Sequence, residues 1–266
     1  MGILNLTPDS FSGDGFLTKN YSPALGLELA QKLIQDGADI IDVGGESTRP
    51  SARFISAKEE IRRIIPTIKL LTKKIKKPIS VDTYKEPVAK AALDCGAAIV
   101  NNIKGTSLDK SLIKTIKSYR AAIVLMHIRG NPKTMQKNIR YQNVIAEIIS
   151  ELKESIEKCL EFGLSSDKII VDPGIGFGKT VDQNFEIIRR LSEFKTLGFP
   201  ILVGTSRKSF IGKALNKEAH QRLWGTAASV AAAILNGAHI VRVHDVKEMR
   251  DVVKVTDAIL NAKNKN

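Results

Sequence analysis

Apolar residues in this 266-residue chain gather into eight short runs, each stopping on polar, charged or glycine residues. The runs are Ile3-Leu4 before Asn5, Ile40 to Val43 before Gly44-Gly45-Glu46, Ile79-Ser80-Val81 before Asp82, and Ile99-Val100 before Asn101-Asn102. Then come Ile123 to Met126 before His127, Ile169 to Val171 before Asp172, Ile201 to Val203 before Gly204-Thr205-Ser206, and Ile240-Val241 before Arg242-Val243-His244. Most of the intervening stretches have helical period and length. Strand and helix alternating eight times close most economically as a parallel (β/α)8, or TIM, barrel. In such a fold the chemistry sits where strands end and loops begin.

Helix boundaries are marked locally. Ser22-Pro23 reads as an N-cap followed by proline at the first helical position, with Gly37 closing that helix. Ser56 and Glu59 read as a capping box for a second helix running towards Ile75, with a kink expected at Pro66. Gly96, Gly163, Gly198 and Gly237 stand where left-handed caps would end later helices, and Asp245 stands where it would cap the last one. From Asn143 to Phe162, the residues Val144, Ile148, Leu152, Ile156 and Leu160 form one apolar stripe, as on an outer helix of a barrel.

The length suits one barrel, typically about 250 residues, so residues 1–266 read as a single domain. With 43% apolar and 26% charged residues the composition is that of a globular domain. The first strand starts at residue 1, so the sequence reads either as a minimal barrel or as a piece of something longer. No run reaches the roughly 20 apolar residues of a membrane span, and no signal or transit pattern opens the chain. Cys95 and Cys159 have no ligand or redox spacing, so a reducing, cytoplasmic setting is expected. The net charge of +13 raises the question of nucleic acid, but the lysines are scattered over several helices without interleaved aromatics. No nucleic-acid partner is therefore expected; such a surface would instead steer a small anionic substrate.

Candidate chemistry lies at the strand ends. On the last strand, period two places Val241 and Val243 on one face and Arg242 and His244 on the other, so the latter pair should enter the barrel mouth as neighbouring cations or donors for an anion. Asp82, Asn101 and Asp172 end three other strands, where they should project over the axis without deep burial. A carboxylate accepts paired N–H donors, which suits Asp172 to a flat guanidine-like edge such as that of a pterin or guanine. Two acids could also bind a metal, but no His/Cys cluster accompanies them. The glycines between Asp172 and Lys179 let backbone approach a ligand, with Phe177 available to stack. That segment is no Walker loop, and Gly204-Thr-Ser-Arg-Lys208 is no nucleophile elbow; Lys208 and Ser209, opening a helix, look like donors to a ring carbonyl or an anion. The polar loops from Asn5 to Phe16 and from Gly44 to Phe54 read as lids over the same rim.

Taken together, Met1 to Ser12, Asp42 to Pro50, Ser80 to Thr83, Leu125 to Gly130, Asp172 to Lys179, Gly204 to Gly212 and Arg242 to Val246 resemble, in order, the dihydropteroate synthase family over nearly the whole chain. The resemblance implies a transferase of folate biosynthesis that joins 4-aminobenzoate to 6-hydroxymethyl-7,8-dihydropterin diphosphate and releases pyrophosphate. It implies magnesium as metal, touched by Asn5, and a homodimer. Asp82, Asn101, Asp172 and Lys208 would hold the pterin; Thr48, Arg242 and His244 the diphosphate. Phe11, Thr48, Arg49, Pro50, Phe177 and Ser209 would shape the 4-aminobenzoate pocket, where the family's sulfonamide inhibitors bind. Arg242, His244 and Lys208 would carry the catalysis. The first loop reads Ser12-Gly13-Asp14-Gly15, and Asn102 and Ser51 also depart from the common family pattern. The alternatives are a pterin-binding methyltransferase on the same barrel, which has no use for a diphosphate site, and a catalytically silent pterin-binding paralogue.

Overall fold

The computed structural model describes residues 1–7, 22–47, 54–130, 135–136 and 139–262. The eight apolar runs all form parallel strands: β1 (Gly2–Asn5), β2 (Ile41–Gly44), β3 (Ile79–Asp82), β4 (Ile99–Asn102), β5 (Ala122–Met126), β6 (Ile169–Asp172), β7 (Leu202–Val203) and β8 (Ile240–Val241). Strands β1 to β6 pair in sequence order and β7 pairs with β8. Parallel bridges Val171↔Ile201 and Gly2↔Val243 join these two sheets into a ring. Backbone bonds Val171 N–H to Pro200 O (2.9 Å) and Ile3 N–H to Val243 O (3.1 Å) complete the seams. The expected barrel is therefore closed, and a closed ring leaves no strand edge to protect.

The side chains explain the closure. Alternate strand positions, such as Leu4, Val43, Val81, Val100, Leu125, Val171 and Val203, belong to the large cluster shared with the helices. The positions between them supply a second cluster of Met1, Ile99, Val124 and Leu202, flanked by Ile40, Ala122, Ile170 and Ile240. That cluster draws on strands all round the ring, as the filled interior of a barrel requires. One step further along, the inward positions turn polar: Asp42 is in register with Ile3 and Ser80, Asp82 with Asn101, and Met126 with Asp172. The apolar plug thus becomes the base of a polar cup.

Helices α1 (Pro23–Gln35), α2 (Ala57–Lys74), α3 (Glu86–Asp94), α4 (Lys110–Ser118), α5 (Val144–Glu161), α6 (Val181–Arg189), α7 (Ser209–Leu215), α8 (Leu223–Leu235) and α9 (Val246–Leu260) make the outer layer, with two of them between β7 and β8. Ser22 caps α1 through the N–H of Leu25, and Gly37 follows its end at φ +106°. Two local expectations need correction. Ser56 caps α2, but the Glu59 carboxylate turns to Arg62 and Arg63, so only half of the capping box forms. Pro66 lies inside α2 on its exposed side, where the carbonyl it leaves without a partner can turn to water. On α5 the stripe holds from Val144 to Ile156, but Leu160 is 41% exposed and its neighbour Cys159 takes the buried position.

Candidate active site

A cavity of about 610 Å³ opens where the strands end, large enough for a drug-sized ligand. Its walls include seven of the residues singled out from sequence: Asn5, Asp82, Phe177, Lys208, Ser209, Arg242 and His244. Asn101 and Asp172 lie behind that wall, buried at 4% and 6% exposure, deeper than their strand-end positions suggested. Their strands stop inside the cup rather than at its lip. Phe11, Thr48, Arg49 and Pro50, with most of both expected lids, lie outside the described residues.

Electrostatics organise the cup around a residue that sequence reasoning passed over. Asp42, fully buried, accepts from Arg242 Nε at 2.6 Å and from Asn101 Nδ2 at 3.1 Å. Arg242 Nη2 donates to Asp82 at 2.9 Å. Arg242 is therefore not the unopposed cation that alternation implied, because its guanidinium bridges two acids in the interior. A charged residue inside an otherwise apolar run was the available signal for Asp42, since such a strand tolerates a carboxylate only beside a partner. The other oxygen, Asp42 Oδ1, has no hydrogen-bond partner among the described residues, nor does the neighbouring Ser80 Oγ. Burial pushes the Asp82 carboxyl up, against the pull of Arg242.

Opposite these acids runs the segment from Asp172 to Lys179. Asp172 Oδ1 accepts from the N–H of Gly174 at 2.7 Å, while burial raises the carboxyl and the Lys208 ammonium opposes that rise. Lys208 donates to the carbonyl of Ile175 and lies 4.7 Å from the centre of the Phe177 ring. Burial pulls its ammonium down to about 8, with Asp172 working in the opposite sense. Ser209 opens α7 beside it, as expected.

His244 is not a cation at neutral pH: burial, then Arg242, brings it down to about 3. Its ring can nonetheless donate. Ser206 Oγ lies 3.2 Å from the His244 backbone N–H and 3.0 Å from Nδ1. The backbone N–H donates to the hydroxyl, whose own proton remains available to Nδ1. With the hydroxyl donating there, the ring proton resides on Nε2. Ser206→Ala is accordingly expected to raise the KM for a diphosphate-bearing ligand about fivefold, the value of one neutral hydrogen bond, while binding of a ligand lacking the diphosphate is unchanged. Steady-state pyrophosphate release and calorimetric titration with the bare pterin check this; equal losses for both ligands would contradict it.

Asp245, expected to cap α9, makes no such bond. Its carboxylate instead receives the fork of Arg207, whose Nε lies at 3.0 Å, because Arg207 is held close by a left-handed turn at φ +57°. Asn102 accepts from the N–H of Lys104 at 2.8 Å and so shapes the exit of β4, a role its amide fills as an acid would. Also unforeseen is a buried cluster in which Lys85 donates to Glu46 at 3.0 Å and to Glu60 at 2.7 Å.

Metal-binding capacity is limited but specific. Among the described residues no group of three His, Cys, Asp or Glu side chains could hold an ion. A side-chain carbon at Gly44, however, would sit 3.4 Å from Asn5 Oδ1 and 3.8 Å from Asp82 Oδ2, so the glycine leaves open the space between two hard oxygen donors. Magnesium keeps most of its waters and takes one or two protein oxygens plus phosphate oxygens, so these residues fit that ion beside a phosphorylated ligand.

The comparisons decide between the remaining readings. Residues 1–244 match the family model described as pterin binding enzyme. The dihydropteroate synthase of Synechocystis sp. is 46% identical over 260 residues, covering 97% of this chain and 89% of that protein. The chain belongs to the dihydropteroate synthase family. Among solved structures, the Yersinia pestis synthase with a sulfonamide drug superposes with a TM-score of 0.93 at 37% identity, over 98% of this chain and 93% of that one. The Clostridium difficile synthase solved in the presence of pteroic acid gives 0.89 at 45% identity, over 98% and 96%. The closed α/β barrel and the transferase class expected from sequence both hold for this synthase, and the methyltransferase alternative falls away.

Proposed function

We infer that this synthase condenses 6-hydroxymethyl-7,8-dihydropterin diphosphate with 4-aminobenzoate, giving 7,8-dihydropteroate and pyrophosphate, with residues 1–266 acting as one domain. The observation that carries this is the cup itself: Asp82, Lys208, Arg242 and His244 line a single cavity, with the buried acids Asp42 and Asp172 directly behind its wall. Pteroic acid, present with the Clostridium difficile relative, unites the pterin and aminobenzoate halves in one molecule.

Asp82, Asn101 and Asp172 grip the amino-pyrimidine edge of the pterin, and Asp42 joins them through its unpaired Oδ1. Lys208 donates to the ring carbonyl. The diphosphate meets the Nε2–H of His244 and those donors of Arg242 not turned to the acids, since a guanidinium carries five N–H groups. Thr48 serves the same leaving group. Phe11, Thr48, Arg49, Pro50, Phe177 and Ser209 surround 4-aminobenzoate, which also makes this the place where a sulfonamide competes. Magnesium, when bound through Asn5, neutralises charge on the departing diphosphate.

The C–O bond to the diphosphate breaks first, its electron pair leaving with pyrophosphate, and the dihydropterin ring spreads the positive charge left on the methylene. The arylamine nitrogen then bonds to that carbon and loses a proton. No side-chain nucleophile enters. The chain's part is to hold both partners and to exclude water. A cytoplasmic compartment agrees with the unpaired Cys95 and Cys159, and among the described residues no helix is long and apolar enough to cross a membrane. A homodimer agrees with large exposed apolar side chains on α8 and α9: Trp224, Leu235, Val255 and Ile259.

Turnover with purified protein, both substrates and magnesium tests the reading. Pyrophosphate released in step with dihydropteroate supports it, and a protein that binds the pterin diphosphate without turnover would be the silent paralogue instead. Positional isotope scrambling within the diphosphate in the absence of 4-aminobenzoate is the expected mark of dissociation.

A further inference from the structure

Behind the glycine-rich segment after β6 lies a line of titratable side chains for which the reaction above has no use. Lys179, 2% exposed, places Nζ 2.9 Å from His127 Nδ1, 2.9 Å from the carbonyl of Phe177 and 3.4 Å from the carbonyl of His127. His127 is wholly buried, and its Nε2 lies 3.0 Å from Glu151 Oε2. Glu151 in turn receives Arg129, which also holds Glu147 at 2.8 Å. Glu151, held well down by His127 and Arg129, can only accept, so the imidazole proton lies on Nε2 and Nδ1 accepts from Lys179. The tautomer is fixed from the outer end, by a carboxylate on α5. Burial pulls Lys179 well below the ordinary lysine range, against the pull of Asp172, and its N–H donors are spent on these acceptors.

The segment that Lys179 supports has little stiffness of its own. Gly174, Gly176 and Gly178 all adopt positive φ, at 71°, 83° and 70°. Between them the backbone runs past Ile175, whose carbonyl takes Lys208, and Phe177, whose ring borders the cavity. A turn bond from Phe177 N–H to the carbonyl of Gly174 at 3.0 Å ties one side of that residue, and glycines at alternate positions leave the rest of its placement to side chains that reach the segment. Gln136 Nε2 holds the carbonyl of Gly176 at 2.9 Å, and Asn184 Oδ1 accepts from its N–H at 2.5 Å. The carbonyl of Phe177 itself is held by Lys179.

We propose that Lys179 is a positioning residue of the synthase: its amine, oriented by His127, pins the backbone of Phe177 and so places the aromatic wall against which 4-aminobenzoate packs. The proposal rests on the reading that Phe177 borders the arylamine subsite. Its effect should fall mainly on the arylamine side, because Asp172 on the pterin side, although Lys179 helps hold it down, keeps its own bond from Gly174 N–H and the larger influence of Lys208.

The test is steady-state pyrophosphate release by Lys179→Met, Lys179→Gln, Phe177→Ala and the Phe177→Ala/Lys179→Met double variant, with each substrate varied in turn. Lys179→Met is expected to raise the KM for 4-aminobenzoate about tenfold and that for the pterin diphosphate less than about twofold, as loss of one buried hydrogen-bonded tie predicts. Lys179→Gln, which still donates one amide N–H, should fall between Met and wild type. In the Phe177→Ala background the methionine should add almost nothing, the non-additivity of residues that act through one another. Equal KM increases for both substrates, or additive effects in the double variant, would overturn the assignment. Failure of both Lys179 variants to fold would do so too, assigning the residue to the stability of the barrel. A wild type that releases no pyrophosphate would bring down the functional reading and this proposal together; a turning-over wild type with an unchanged arylamine KM in Lys179→Met would bring down the proposal alone.

Discussion

Replacing Arg242 with alanine is expected to cost the protein both stability and turnover. In the native cup its guanidinium joins Asp42, fully buried, to Asp82 at 11% side-chain exposure. Removing one member of such a set leaves uncompensated buried charge, worth roughly 3–5 kcal/mol. Protonation offers a partial escape. Burial already holds the Asp82 carboxyl above its ordinary range while Arg242 pulls it down, so in the variant it rises further. A carboxyl raised above its unfolded value contributes stability below that value and loses it as pH rises through the folded one. The deficit of Arg242→Ala should therefore be larger at pH 8 than at pH 5, as read by urea midpoints at both. Turnover should fall by about 100-fold or more, because the diphosphate loses charge-assisted donors worth about 3 kcal/mol. A variant as stable as wild type at pH 8 would mean that the three-residue bridge carries no weight.

Gly174→Ala should be the most damaging of the small substitutions. An added Cβ would lie 1.8 Å from the carbonyl oxygen of His127, which is backbone and cannot step aside, and the φ of +71° is itself unfavourable to alanine. Left-handed backbone costs an L-residue about 1–2 kcal/mol, and overpacking typically 1–3 kcal/mol more. Relief requires β5 and β6 to part where His127 N–H bonds Asp172 O at 2.9 Å. Asp172 would move with them. We expect about 2–5 kcal/mol of lost stability and a higher Kd for the pterin, measured by thermal unfolding and calorimetry. Gly198→Ala, where a Cβ would meet nothing within 4 Å, is the control for the cost of positive φ alone.

What the chain disclosed on its own followed from local physics. Strands buried on both sides need continuous apolar runs, so all eight could be found, and their polar ends located the cup. Helix ends carrying Gly37, Gly96 or Gly163 could be marked because few other residues enter left-handed backbone, whereas Arg120 and Asn216 do so without that signature. Hidden were the partners. Nothing near Asp42 indicates that Arg242, 200 positions later, is its counterion, and the capping role read into Asp245 was local where the actual contact, with Arg207, is not. Lys179 stood at the end of a motif read for its glycines, while two of its three acceptors, both on His127, lie at another strand end. Positions along one strand are dictated by alternation; which side chains meet across a barrel depends on closure, which no window of sequence contains.

That closure orders events during synthesis. The final strand supplies both the seam to Gly2 and the guanidinium between Asp42 and Asp82. A nascent chain still tethered short of residue 242 would have to enclose two carboxylates with no cation to meet them, so ring completion and the birth of the binding cup coincide. Partly made chains should then remain open and ligand-incompetent until the terminal segment leaves the ribosome.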